Sequence, residues 1–202
     1  MKKIFCFDFD GTIADTLPLI VDSANKFFTE EKGKGISDSF LRKVREEGIE
    51  EVFRETNIPL YRLFFIYLKI KKEMNREITE AKVNESVKEV VKEMKRRGHM
   101  VGILTSNSER NVVNFLKHHD FEVFDFIKTA GIFGKKREIE KLKENGRDLF
   151  YIGDETRDIK AGKRAKVKTV AVPWGLSSKE ALQKAKPDIL IERPEDLLDL
   201  SP

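Results

Sequence analysis

The sequence predicts an α/β protein, an open parallel sheet interrupted once by an all-helical insert. Three observations lead there. Apolar runs of five or six residues recur along the chain, as in strands covered on both faces. Amphipathic segments of helical period separate most of these runs. One long stretch, from residue 15 to about residue 82, carries helical patterns and no strand.

In chain order, "KIFCF" (3–7) is the first strand and runs into Asp8 and Asp10. The insert opens with a helical stripe of Leu17, Ile20, Ala24, Phe27 and Phe28, and a second stripe holds Phe40, Leu41 and Val44. Val52 and Phe53 then lead to the bulkier "PLYRLFFIYLKIKKEM" (59–74). There, Phe53, Tyr61, Phe64, Phe65 and Tyr67 suit either a substrate pocket or the core of a small helical bundle, the commoner use of such a stripe. Val87, Val90, Val91 and Met94 mark a helix before Gly98, and "MVGILT" (100–105) is the next strand. Ser108 is a plausible N-cap for a helix with Val112, Val113 and Leu116 on its inner face. "FDFIKTA" (124–130) is a weaker strand, and Ile139 and Leu142 mark a helix that stops at "ENG". "LFYIG" (149–153), "KTVAVP" (168–173) and "DILIE" (188–192) complete the strand set. The expected organisation is a Rossmann-like core, residues 1–14 and 83–202, with an inserted all-α cap domain, residues 15–82.

Composition narrows the function classes. Of 202 residues, 39 are basic and 35 acidic, so the net charge is only +4. Opposite signs are interleaved, as in "KEVVKEMKRRG" (88–98), which reads as solvated helix faces rather than a nucleic-acid stripe. The small basic excess suits an anionic small substrate. Cys6, the single cysteine, excludes an internal disulfide and a thiolate zinc site and reads as an inert buried thiol. "MKKIFCF" opens like a signal peptide, but Asp8 and Asp10 break its apolar run. No other run approaches the ~20 apolar residues of a bilayer span. A cytoplasmic protein with neither membrane nor nucleic-acid partner is expected, and no motif sets an oligomeric state.

In open α/β sheets, ligands bind at the carboxyl ends of strands, near the point where strand order reverses. The first strand brings Asp8 and Asp10 to that rim, "MVGILT" brings Thr105, Ser106 and Asn107, and "LFYIG" brings Asp154 and Asp158. "FGKKRE" adds Lys135 and Lys136. Carboxylates, a hydroxyl and an ammonium suit phosphoryl transfer, where positioning and charge stabilisation dominate. Mg²⁺ takes hard oxygen ligands, and Asp8 and Asp154 suit it. An aspartate can also attack phosphorus, while a neighbouring carboxyl moves the proton. Positions two apart on a strand face the same side, so Asp8 and Asp10 can serve one substrate.

"DFDGT" (8–12), "ILTSN" (103–107), a lysine before a helix and "GDETRD" (153–158) together resemble the haloacid-dehalogenase-like hydrolases, specifically their phosphoglycolate-phosphatase-like branch with a helical cap. The resemblance spans the chain in motif order and implies a Mg²⁺-dependent phosphatase acting on a small phosphorylated substrate. It implies Asp8 as nucleophile and metal ligand, and Asp10 as general acid and base with its backbone carbonyl on the metal. Thr105 would bind the phosphoryl group, helped by backbone N–H groups around Gly11, Ser106 and Asn107. The family lysine falls on Lys135 or Lys136, with Lys135 preferred because Ile139 then holds the first buried helix position. The loop lacks the Lys-Pro-x-Pro pattern of close relatives. Asp154 would complete the metal site, with Asp158 behind it. A phosphomutase of the same superfamily is the near alternative, and a phospho-receiver or silent binding module the distant one. Asp10 argues against silence and against dehalogenation.

Other conspicuous residues have plainer readings. Asp15 and Thr16 suit an N-cap or hinge where the chain leaves the core. Asp158 has the alternative role of charging a helix first turn. Ser106 and Ser108 read as turn and cap residues. His99, His118 and His119 lack metal-ligand spacing and read as surface histidines. Trp174 reads as packing and Gly175 as a turn.

Overall fold

The structure, a computed structural model, describes residues 2–33, 35–48, 51–52, 68–69, 72, 77–131, 134–143 and 148–201. Its centre is a six-stranded sheet. The strands are β1 (Ile4–Phe7), β4 (Met100–Thr105), β5 (Phe126–Thr129), β6 (Leu149–Gly153), β7 (Lys168–Ala171) and β8 (Ile189–Leu190). Every pairing among them is parallel, in the order β5-β4-β1-β6-β7-β8. From β1 the chain builds outward through β4 to β5, then crosses to the other side for β6, β7 and β8. The switch point therefore lies between β1 and β6.

β1 is fully buried, and its alternation divides the core. Phe5 and Phe7 face one layer with Val87, Val91, Met94, Val112 and Phe115. These come from α3 (Glu85–Arg96) and α4 (Glu109–His118), which Asn84 and Ser108 cap by accepting from Val87 N and Asn111 N. Ile4 and Cys6 face the other layer with Leu104, Tyr151, Ile139 and Leu142. The last two belong to α5 (Lys135–Lys143). Burying each large side chain of this kind contributes roughly 1.5–3 kcal/mol, enough to hold the short strands in register. The weaker strand expected at 124–130 forms as β5, whereas β7 and β8 are shorter than the apolar runs that suggested them.

Between β1 and α3 the described residues carry α1 (Leu17–Lys32), α2 (Asp38–Glu47) and a 3₁₀ turn at Ile78–Glu80. Phe53, Tyr61, Phe64, Phe65, Tyr67 and most of 59–74 lie outside the described residues. Two strands that the sequence pattern did not reveal, β2 (Ala14–Asp15) and β3 (Lys82–Val83), pair antiparallel at the base of the insert. At two residues each they are too short to show a period. α6 (Thr156–Arg164) follows β6 and α7 (Lys179–Lys184) follows β7. The insert touches the core beside these helices, where Ser178 N donates to Arg45 O at 2.7 Å. Among the described residues no helix is long and apolar enough to cross a membrane.

His99 departs from its surface reading, because it is 5% exposed. Its ring meets Phe5 edge-on at 5.3 Å, and Nδ1 accepts from Lys3 N at 3.2 Å. His118 is exposed, and half-buried His119 shares a 2.9 Å hydrogen bond with Ala81 O. Cys6 is buried, and burial pushes its thiol well up, which leaves it inert.

Candidate active site

The loop after β1 is a tight knot. Ile13 N and Ala14 N both donate to Phe9 O, and Gly11 N donates to Ala14 O at 2.8 Å. Gly11 sits at φ +74°, and a Cβ there would lie 2.3 Å from Asp154 Oδ2, so no larger residue fits. The same oxygen would lie 2.1 Å from a Cβ on Gly175, in the turn after β7. Two glycines thus wall Asp154 in. Its Oδ1 accepts from the Thr12 hydroxyl and its Oδ2 from Leu176 N, each at 2.8 Å.

Asp8 ends β1 on the other side of the switch point. Its Oδ1 accepts from Phe9 N at 2.8 Å and its Oδ2 from Lys135 Nζ at 2.7 Å. Lys135 also donates to Asp158 Oδ1 at 2.7 Å and is only 3% exposed. Lys136 points away and pairs with Glu140 on the α5 surface at 3.5 Å. Of the two lysines, Lys135 is the one that lies against Asp8. Asp158 caps the start of α6 and also holds Lys135. Its Oδ2 accepts from Glu155 N at the start of α6, while Oδ1 takes Lys135 and the Tyr151 hydroxyl. A Cβ on Gly153 would meet that carboxylate at 2.6 Å.

β4 supplies Thr105, fully buried, whose Oγ1 accepts from Asn107 N at 2.9 Å. Asn107 Nδ2 reaches Asp10 Oδ1 at 3.1 Å and Oδ2 at 3.3 Å, and its own Oδ1 accepts from Ser108 N and Asn111 Nδ2. Asn107 therefore orients Asp10. The N–H groups of Gly11 and Asn107, expected to face phosphate, are bonded within their loops. Half-buried Ser106 follows β4 at the same rim. Asp15 is exposed in the β2–β3 ribbon, and Thr16 precedes α1 without making a cap hydrogen bond. Its hydroxyl is buried with no hydrogen-bond partner among the described residues.

Oxygens of Asp8, Asp154 and Asp158 lie within 4.8 Å of one another, all buried. Burial pushes Asp8 up to about 7 despite the opposing pull of Lys135. Asp154 is raised well above its ordinary value, by burial first and then by Glu155, Asp8 and Asp158. Asp10 is raised by burial against the hydrogen bonds it accepts from Asn107. Packed carboxylates of this kind, all hard oxygen donors, fit a divalent cation that would relieve their repulsion.

The haloacid dehalogenase-like hydrolase family model matches residues 5–172, which span β1 to the end of β7. The chain belongs to the haloacid dehalogenase-like hydrolases. It is similar to the phosphoglycolate phosphatase of Synechococcus elongatus, 28% identical over 95% of this chain and 93% of that one. It is also similar to the pyrophosphatase PpaX of Bacillus cereus, 28% identical over 96% of this chain and 94% of that one. Among solved structures, a haloacid dehalogenase-like hydrolase from Streptococcus pneumoniae shares the fold with a TM-score of 0.77 and 18% identity, over 98% of each chain. Both of these curated relatives are named as phosphatases.

Four contributors to the site were not legible beforehand: Thr12, Tyr151, Gly175 and the Glu155–Arg157 pair. Thr12 lies inside "DFDGT", but its partner Asp154 is 142 residues away. For Gly175 the available signal was a turn directly after a strand at the carboxyl rim.

Proposed function

We propose that this hydrolase is a Mg²⁺-dependent phosphatase that opens a small phosphorylated metabolite through an aspartyl-phosphate on Asp8. The observation that carries the reading is Lys135, buried between Asp8 and Asp158 with Asp154 across the switch point. Asp8 and Asp154 would hold the cation, with the Asp10 carbonyl, while Asp158 stays behind them on Lys135. Bound Mg²⁺ would screen the phosphate charge from the carboxylates. An Asp8 oxygen attacks phosphorus, and the bond from phosphorus to the ester oxygen breaks. Asp10 gives its proton to the departing oxygen, a task its raised pKa favours. Water then loses a proton to Asp10 and attacks phosphorus, breaking the bond to Asp8 and freeing phosphate. Thr105 offers its hydroxyl hydrogen and Lys135 its charge to the phosphoryl oxygens. The helical insert is the cap over this cleft. The names of the relatives point to substrates the size of phosphoglycolate or pyrophosphate, and a cytoplasmic setting suits such substrates.

The purified protein should hydrolyse 4-nitrophenyl phosphate with Mg²⁺ and stop on adding EDTA. Asp8→Asn should lower kcat by about three orders of magnitude or more. Hydrolysis that persists in EDTA would overturn the metal assignment, and an Asn variant as active as the parent would overturn the nucleophile.

A further inference from the structure

The cleft holds a second cation that the mechanism above does not use. Arg157 lies in the first turn of α6, between two residues with fixed duties. On one side Asp158 grips Lys135, and on the other Thr156 lies against the insert, where a Cβ on Gly48 would come within 2.9 Å of its hydroxyl. Arg157 therefore stands at the seam between the phosphoryl site and the insert.

The guanidinium is mostly covered yet poorly satisfied. Its side chain is 20% exposed, and among the described residues its one hydrogen bond runs from Nη2 to Glu155 Oε1 at 2.5 Å. Among the described residues the buried Nε–H has no partner. An arginine presents its donors as a planar fork suited to two-oxygen anions, so an open Nε beside an occupied Nη2 is half of such a fork. The charge itself is secure. Burial opposes it, but Glu155, Asp158 and Asp8 more than offset that and hold its pKa above the ordinary arginine value. Its field also reaches Asp10. Lys135 is committed to Asp8 and Asp158, so among the described residues Arg157 is placed to meet further negative charge.

We propose that Arg157 reads a second anionic group on the substrate, a carboxylate or a second phosphoryl group, lying a few bonds from the phosphoryl group that is transferred. The inference rests on the phosphatase reading above. A two-oxygen anion would take the Nε–Nη2 edge and share or displace Glu155. A neutral alcohol portion would leave Nε unsatisfied, which disfavours it because a buried donor without a partner is costly. Arg157 thus sets selectivity, while Asp8 and Asp10 do the chemistry.

The test compares kcat/KM for phosphoglycolate, pyrophosphate and 4-nitrophenyl phosphate in the Mg²⁺-loaded parent, Arg157→Gln and Arg157→Lys. The selectivity ratio of phosphoglycolate or pyrophosphate over the aryl phosphate should fall by about tenfold or more in Arg157→Gln, mostly through KM. It should fall less in Arg157→Lys, which keeps the charge and loses the fork. A fall confined to phosphoglycolate marks the second group as a carboxylate, and one confined to pyrophosphate marks it as phosphoryl. An unchanged ratio in both variants overturns the inference, as does a parent active on the aryl phosphate alone. A parent inactive on all three compounds overturns the phosphatase reading instead.

Discussion

The two ends of β1 handle charge in opposite ways. At the carboxyl end, Asp8, Asp154 and Asp158 are buried close enough to raise the pKa of the first two. At the amino end, charged groups satisfy the carbonyls of the C-terminal 3₁₀ turn (Pro194–Leu200). Lys3 Nζ donates to Leu200 O at 2.8 Å, and Arg97 Nη1 donates to Leu198 O and Ser201 O at 3.1 and 2.8 Å. Both of these cations meet backbone carbonyls there. The same strand thus gives stability at one end and spends it at the other, which is what a site awaiting a cation and an anion requires.

The largest effect should appear at the carboxyl rim. An unfolded aspartate has a pKa near 3.9. Asp8 is raised to about 7, so its contribution to stability is complete below about 3.9 and is lost as pH rises through about 7. In EDTA, Asp8 alone should therefore lower the unfolding free energy from urea titration by about 2.5 kcal/mol between pH 5 and pH 8. Mg²⁺ should flatten the slope, and Asp8→Asn should remove part of it. A metal-free protein whose stability ignores pH over that range would break the contrast between the two ends.

A smaller effect belongs to the amino end. Arg97→Ala removes the bonds to Leu198 and Ser201 and an ion pair with Glu93. It should lower stability by about 1–2 kcal/mol and leave kcat unaltered. Thermal unfolding and turnover, measured on one preparation, separate the two. A change in kcat would mean that the tail end communicates with the site.

How much of this was legible in the sequence follows the range of the interaction. β1, β4 and β6 stand out because burial on both faces needs continuous apolar runs, and their order along the chain already places Asp8, Thr105 and Asp154 at one rim. The family resemblance only favours Lys135 over Lys136, through Ile139 four residues later, and burial against Asp8 is what tells the two apart. Thr12 on Asp154, Tyr151 on Asp158 and Gly175 against Asp154 depend on loops meeting across the sheet, which no local period encodes. Arg157 shares its pattern with any charged helix start, and only its covered, half-used fork distinguishes it. His99 reads as a surface residue because its cover comes from Phe5 and from a tail a hundred residues away.

That histidine supplies the smallest and most discriminating effect. Burial lowers the His99 pKa below its ordinary 6.5, Lys3 and Arg97 add to the shift, and the Ser201 carbonyl opposes it. A depressed pKa means that the unfolded chain takes up the proton first. The stabilisation is whole above about 6.5 and is lost as pH falls through the lower folded value. The sign is opposite to that of Asp8, so the two ends of β1 should tilt the stability profile in opposite directions. With Mg²⁺ present to suppress the rim, the remaining loss below pH 6.5 should shrink in His99→Asn, which keeps a side chain able to accept from Lys3 N but cannot gain a proton. Carboxylates such as Asp188, held low by Thr169, add their own loss at more acidic pH in parent and variant alike. Subtracting the two profiles therefore isolates His99. A difference that stays flat between pH 5 and 6.5 would show that the imidazole is not held neutral by the tail, and that the amino end carries no titratable strain at all.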